Sequence, residues 1–374
     1  MKNKFIPVNE PLLQGNEKEY LLECIKTGWI SSDGPFVKKF EKKFSKRVQR
    51  KYGIAVTNGS SAIDVAVEAL NIKKGDEIIL PTFTIISSIL QIIRSGAKPV
   101  LVDCSPDTWN MDTNQIEAKI NFKTKAILVV HIYGLPVDMD PILKLCKKYK
   151  LKLIEDAAEM IGQTYKKKRQ CGSFGNISTV SFYPNKHITT GEGGMILTNN
   201  IKLAKKCREL RNLCFKPKKR FVHDKLGWNF RMSNIQAALG VAQLEQLKKF
   251  IKKKRWIGKT YNKYLSKLKN IFLPLEKTNY SKNIYWVYGI VLKKQNKMKA
   301  SDVIKKMSNL GIGCRPFFCP MHMQPIFKKM GLFKNEKYPV SENLYRNGFY
   351  LPSGLSLSKN QILKVSEALF KVIK

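Results

Sequence analysis

Long apolar runs are missing from this chain. None reaches the ~18–20 residues needed to cross a bilayer, so a membrane-spanning protein is not expected. The N-terminal stretch MKNKFIPVNEPLLQGNEKEY is basic but lacks an unbroken apolar segment and a small-residue cleavage site, which argues against a secretory signal. The eight cysteines, at 24, 104, 146, 171, 207, 214, 314 and 319, contain no C-x-x-C pair, which argues against zinc and against a disulfide framework. A cytoplasmic location is the simplest expectation. Acidic residues are scarce: 28 stand against 68 Lys+Arg, for a net charge of +40. Such a charge raises nucleic-acid binding. Yet there is no long basic tail and no recognisable nucleic-acid module. The lysines are spread in pairs and triplets over expected helices, so solvated helix faces are the preferred reading. The general positive field can still draw in anionic small molecules. Internal repeats and low-complexity linkers are absent as well.

What is present points to an α/β protein. At 374 residues the chain exceeds one compact core, and two domains are expected. Apolar runs GIAVTN (53–58), EIILPTFT (77–84), PVLVD (99–103), AILVVHIYG (126–134) and LKLIEDAA (151–158) read as strands. Helical patterns SAIDVAVEALN, SSILQIIRSG and MDPILKLCKKYK lie between them. This alternation implies a mostly parallel sheet covered on both faces. TVSFYP (179–184) and MILTN (195–199) suggest neighbouring strands around a Gly-rich turn. After about residue 234 the texture changes to one long helical pattern, a strand over 283–293 and two further helices. A large domain over 1–245 and a smaller C-terminal α+β domain over 246–374 are therefore expected.

Ligands of parallel sheets collect at the carboxyl ends of the strands. There, IEDAAE places Glu155 and Asp156, and SFYPNK delivers Ser181 and Lys186. NGSSAID leads Asn58, Gly59, Ser60 and Ser61 straight into a helix, whose free amides and dipole suit an anion. Each feature alone has an ordinary explanation, such as a turn cap or a helix N-cap. Together, a Schiff-base lysine, a carboxylate for a ring nitrogen and a helix start for a phosphate are what pyridoxal 5′-phosphate requires. Burial among cations would depress the lysine pKa and suit it to proton transfer. No metal is needed.

The motifs NGSSA, GDEIILPTFT, VHIYG, IEDAAE, SFYPNKHITTGEGGM, GWNFRMSNIQAALGVAQLE and RPFFCPMHMQP occur in this order. With them the chain resembles the DegT/DnrJ/EryC1/StrS family of nucleotide-sugar aminotransferases, from near Ile6 to near Leu369. The resemblance implies a fold-type I pyridoxal-phosphate enzyme. It implies that Lys186 binds the cofactor aldehyde, Asp156 partners the pyridine nitrogen and Glu159 lies near the phenolic oxygen. Ser60, Ser61 and Ser181 would bind the phosphate, and Phe83 would stack on the ring. Asn229 would reach the cofactor phosphate of the other subunit in a homodimer. Arg315 and His322 match positions near the sugar nucleotide, with Arg suited to a diphosphate. Tyr183 and His187 flank the lysine as further substrate candidates, and His223 is a candidate for substrate or for the dimer interface. Retention of Lys186, with histidine only at the next position, favours transamination over cofactor-dependent dehydration. The implied reaction passes an amino group from L-glutamate to C4 of GDP-4-keto-6-deoxymannose. A UDP- or dTDP-linked sugar, or amination at C3, is the alternative.

Overall fold

The structure, a computed structural model, describes residues 5–216, 220–293 and 298–373. Its larger sheet contains β1 (Tyr52–Val56), β2 (Glu77–Pro81), β3 (Lys98–Val102), β4 (Thr124–Val130) and β5 (Lys152–Asp156). After a small hairpin of β6 (Thr164–Tyr165) and β7 (Arg169–Gln170), it is completed by β8 (Ile177–Ser181) and β9 (Gly194–Thr198). The order is β1-β9-β8-β5-β4-β2-β3. The run β8-β5-β4-β2-β3 is parallel, and β9 lies antiparallel to both β8 and β1. The expected α/β architecture with a mixed, mostly parallel sheet is thus present.

The central strands read as apolar runs because both of their faces are covered. Ile78, Leu80, Ala126, Leu128 and Val130 pack to one side with Ile63, Val67, Ile89 and Ile92 of helices Gly59–Ala69 and Ser87–Arg94. The alternate residues Ile79, Ile127, Val129 and Leu153 pack to the other with Ile142 and Leu145 of helix Met139–Lys148. A third layer forms where Phe40 and Phe44 of helix Pro35–Arg47 meet Phe182, Ala237 and Val241. That approach needs Gly240, since a Cβ there would lie 2.7 Å from the Phe40 ring.

Helix Asn234–Leu265 begins with a capping box between Ser233 and Gln236 and continues unbroken past position 245. Its later turns contribute Ile257, Tyr261 and Leu265 to a second core, built on β10 (Ile271–Phe272), β11 (Tyr288–Leu292), β12 (Arg315–Pro316) and β13 (Gly348–Leu351). These strands form an antiparallel sheet in the order β10-β11-β13-β12, with helices Ala300–Asn309 and Lys359–Ile373 packed on it. No helix among the described residues is long and apolar enough to cross a membrane.

Candidate active site

The carboxyl ends of the parallel strands open into a cavity of about 300 Å³. β4 delivers Val130 and His131, β5 delivers Asp156, and β8 delivers Ser181. The turn after β8 carries Lys186, whose amide donates to the Tyr183 carbonyl at 2.9 Å. Trp286, Phe318 and Tyr350 come from the C-terminal part of the chain and close the opposite wall.

Strand alternation separates the two neighbouring acids. Asp156 lines the cavity, whereas Glu155 is fully buried behind it. Glu155 accepts from the amides of Gly172 (2.6 Å), Phe174 (2.7 Å) and Gly175 (3.1 Å), from the Ser178 hydroxyl (2.8 Å) and from His131 Nε2 (3.2 Å). Because His131 Nδ1 accepts the Val137 amide at 3.1 Å, its proton sits on Nε2 and faces Glu155. Burial alone would raise the Glu155 carboxyl, but His131, the Arg50 guanidinium and the Gly172 amide outweigh it and hold it at about 2. Glu155 is a structural anchor that fixes the end of β5.

In the cavity, Lys186 Nζ lies 3.7 Å from Glu159 Oε1 and 3.9 Å from the centre of the Trp286 ring. Burial lowers the lysine pKa, with Glu159 and Asp156 pulling the other way. Burial likewise raises both acids, against the Ala158 amide and Lys186 for Asp156, and against Lys186 and the Tyr133 amide for Glu159. The result is an amine that sheds its proton below the usual lysine range, facing two carboxyl groups at one end of the sheet. Glu159 is held by the Tyr133 amide at 2.7 Å.

Across the cavity, helix Gly59–Ala69 presents its first turn. Asn58 caps the Ser61 amide at 2.8 Å, while the amides of Gly59 and Ser60 donate to no group among the described residues. The Ser60 hydroxyl pairs with Ser87 at 2.7 Å, and both serines line the cavity beside Ser181. A Cβ on Gly59 would stand 2.8 Å from Ser181 Cβ, so the helix start and the end of β8 fit only with glycine there. A buried amine, two acids and an amide-lined helix start match the chemistry of pyridoxal phosphate, and the volume suits a small ligand.

Several expected positions lie elsewhere. Ser61 is buried, with its hydroxyl 3.0 Å from Thr57 and its amide taken by Asn58, and it does not line the cavity, whereas Gly59 and Ser60 do. Phe83 does not wall the cavity. It is 0% exposed and packs edge-on against Tyr133 and beside Phe317, while Thr84 and Ile85 reach the opening. His187 is also 0% exposed, because the turn that presents Lys186 sends the next side chain into the core. Burial pushes its pKa well down, and the neighbouring Lys254 and Lys186 amines act in the same direction. His322 is buried too, bound to Thr82 Oγ1 at 2.8 Å and to Glu342 at 3.4 Å, and does not line the cavity. Tyr183 does line it. Arg315 lines an adjoining cavity of about 240 Å³ that shares Tyr183, Asn185 and Tyr350 with the first. Asn229 is exposed and outside both cavities, with Oδ1 accepting from Arg231 at 2.9 Å. His223 is exposed, 2.8 Å from the Leu213 carbonyl. Trp286 and Tyr350 were not among the expected site residues. An aromatic in an apolar strand pattern reads as core, and no local signal marks these two.

Comparison with known proteins agrees with this geometry. Residues 11–370 match the DegT/DnrJ/EryC1/StrS aminotransferase family. The chain is 41% identical to the GDP-perosamine synthase of Escherichia coli O157:H7 over 366 residues, covering 98% of each chain. It is 40% identical to the GDP-perosamine synthase of Caulobacter vibrioides, again covering 98% of each. Among solved structures, an aminotransferase from Psychrobacter cryohalolentis superimposes with a TM-score of 0.91 at 29% identity, over 98% of both chains. The chain therefore belongs to the DegT/DnrJ/EryC1/StrS aminotransferase family.

Proposed function

We propose that the protein uses pyridoxal 5′-phosphate to move an amino group from L-glutamate to C4 of GDP-4-keto-6-deoxymannose, yielding GDP-perosamine and 2-oxoglutarate. The observation that carries this reading is the convergence of Lys186, Asp156 and Glu159 on one cavity facing an amide-lined helix start. The choice of sugar follows the two perosamine synthases, which the chain resembles over nearly its whole length.

When bound, the cofactor supplies an aldehyde that takes amines and a ring that accepts an electron pair. Lys186 would hold that aldehyde, Asp156 would keep the ring nitrogen protonated, and Glu159 would sit near the phenolic oxygen. The amides of Gly59 and Ser60 and the hydroxyls of Ser60 and Ser181 would bind the phosphate. With its pKa lowered by burial, the Lys186 amine would be able to accept the donor's α-proton and later return a proton to the sugar. Trp286, Phe318 and Tyr350 cover the amine and limit water.

Arg315 in the adjoining cavity fits the diphosphate, because its planar fork binds two oxygens at once. Tyr183 stands where the two cavities join and would contact the sugar. Exposed Asn229 fits a homodimer in which each subunit completes its partner's site, and cytoplasmic nucleotide-sugar metabolism is the setting. Mass spectrometry of products from L-glutamate with GDP-4-keto-6-deoxymannose tests the reading, with UDP- and dTDP-linked keto sugars in parallel. Formation of GDP-perosamine is expected. Amination of only a UDP- or dTDP-linked sugar would overturn the nucleotide, and amination at C3 would overturn the position.

A further inference from the structure

One buried amine has no part in the site as described. Lys254, on helix Asn234–Leu265, is 1% exposed, and no carboxylate among the described residues pairs with it. Lysine is almost never buried without a counter-charge. Its amine donates instead to two main-chain carbonyls, Trp286 O at 2.9 Å and Ser353 O at 2.7 Å. Trp286 is the residue whose ring lies 3.9 Å from Lys186 Nζ, and its indole N–H donates to the Asn185 carbonyl at 2.8 Å. Ser353 is fixed in turn, since its hydroxyl accepts the Tyr288 amide at 2.8 Å and donates to the Leu351 carbonyl at 2.8 Å. Lys254 thus ties the long helix to the segment bearing Trp286 and to the end of β13, next to Tyr350.

The hydrogen-bond count favours the neutral amine. A neutral amine has two N–H donors, and two carbonyls meet it. An ammonium would bring a third donor with no acceptor among the described residues. It would also add a charge beside Lys186 and His187, and no carboxylate among the described residues pairs with it.

We infer that Lys254 is a positioning residue for Lys186: as a neutral amine it clamps the carbonyls of Trp286 and Ser353, and the clamp sets the indole wall against the reacting amine. Protonation of Lys254 keeps both carbonyl bonds but adds an unmet N–H donor and a positive charge on the Lys186 side of that wall, which disfavours uptake of a proton by the reacting amine. Burial, with a lesser contribution from Lys186 when that amine is charged, lowers the Lys254 pKa to about 7, so the change falls near neutral pH. The inference rests on the proposed aminotransfer for its rate readout but not for its stability readout.

The test uses full-length wild type, Lys254→Met and Lys254→Gln. Rates of the half-reaction with L-glutamate are measured from pH 6 to 8.5, and wild type is divided by variant so that shared ionisations cancel. A group titrating at about 7 is roughly 97% neutral at pH 8.5 and 9% neutral at pH 6, so the wild-type to Lys254→Met ratio should fall about tenfold across the range. Lys254→Gln keeps an NH₂ group for the carbonyls and should recover part of the rate without the acid limb. In cofactor-free protein, the stability of wild type relative to both variants should rise from pH 7 to 10, because the unfolded lysine still binds a proton there and the folded one does not. A pH-independent rate ratio would reduce Lys254 to packing, and parallel stability curves would mean that it is buried charged. Either result overturns the inference. Absence of any half-reaction in wild type would count against the proposed function instead, and the stability arm would still decide the state of Lys254. If Lys254→Met fails to fold, Lys254→Gln carries both arms.

Discussion

Replacing Glu155 by Gln should destabilise the protein, although Glu155 itself does not line the cavity. The fully buried carboxylate accepts from three backbone amides, Ser178 and His131, with Arg50 close by. Holding the group at about 2 against an ordinary 4.5 corresponds to about 3 kcal/mol at 1.36 kcal/mol per pH unit. Glutamine removes the charge and turns an NH₂ toward groups that are already donors, so about 3 kcal/mol is a lower figure. With an unfolding entropy of about 2.1 cal/mol/K per residue over 374 residues, that loss lowers Tm by about 4 °C. The assay is thermal unfolding of cofactor-free protein at pH 7, followed by circular dichroism. The sign with pH also follows. A depressed carboxyl contributes fully above 4.5, and its contribution disappears as pH falls through about 2. Wild type and variant should therefore differ most near neutrality and converge in acid. A Tm within 1 °C of wild type would refute the reasoning, because an anchor with five donors cannot be neutralised at no cost.

Three further outcomes are expected. Gly59→Ala should weaken pyridoxal phosphate binding about tenfold in a fluorescence titration, about 1.4 kcal/mol, because the new Cβ lies 2.8 Å from Ser181 Cβ and must displace it or the first turn. Arg315→Met should raise KM for the sugar nucleotide roughly tenfold or more and leave the glutamate half-reaction unchanged. His322→Ala should do the reverse, lowering Tm with little effect on that KM, since His322 is occupied with Thr82 and Glu342.

Much of this architecture is legible in the residue pattern, for a physical reason. Parallel strands buried on both faces must be apolar along their length, so β2, β4 and β5 stand out as short apolar runs. The two-residue strands at 164–165, 169–170, 271–272 and 315–316 are too short for any periodicity. Within the site, Lys186 and Asp156 are marked by their position at strand ends. Side-chain direction is less visible. Phe83, His187 and His322 sit inside or beside telling motifs, yet the local backbone turns all three into the core. The motif fixes neighbourhood, and a rotation by one residue decides between cavity and interior. The acid pair shows this most simply, since Glu155 and Asp156 do opposite work on the two faces of one strand. Trp286, Tyr350 and Lys254 are invisible for another reason. They meet Lys186 across 68 to 164 residues of chain, and only tertiary packing brings them together.

The account rests on a single reactive amine in a chain with 68 lysines and arginines. Reduction of the pyridoxal phosphate complex with borohydride, followed by digestion and peptide mass spectrometry, should find the pyridoxyl group on Lys186 and, at one equivalent, nowhere else. A label on other lysines with Lys186 unmodified, or no stable label, would contradict it.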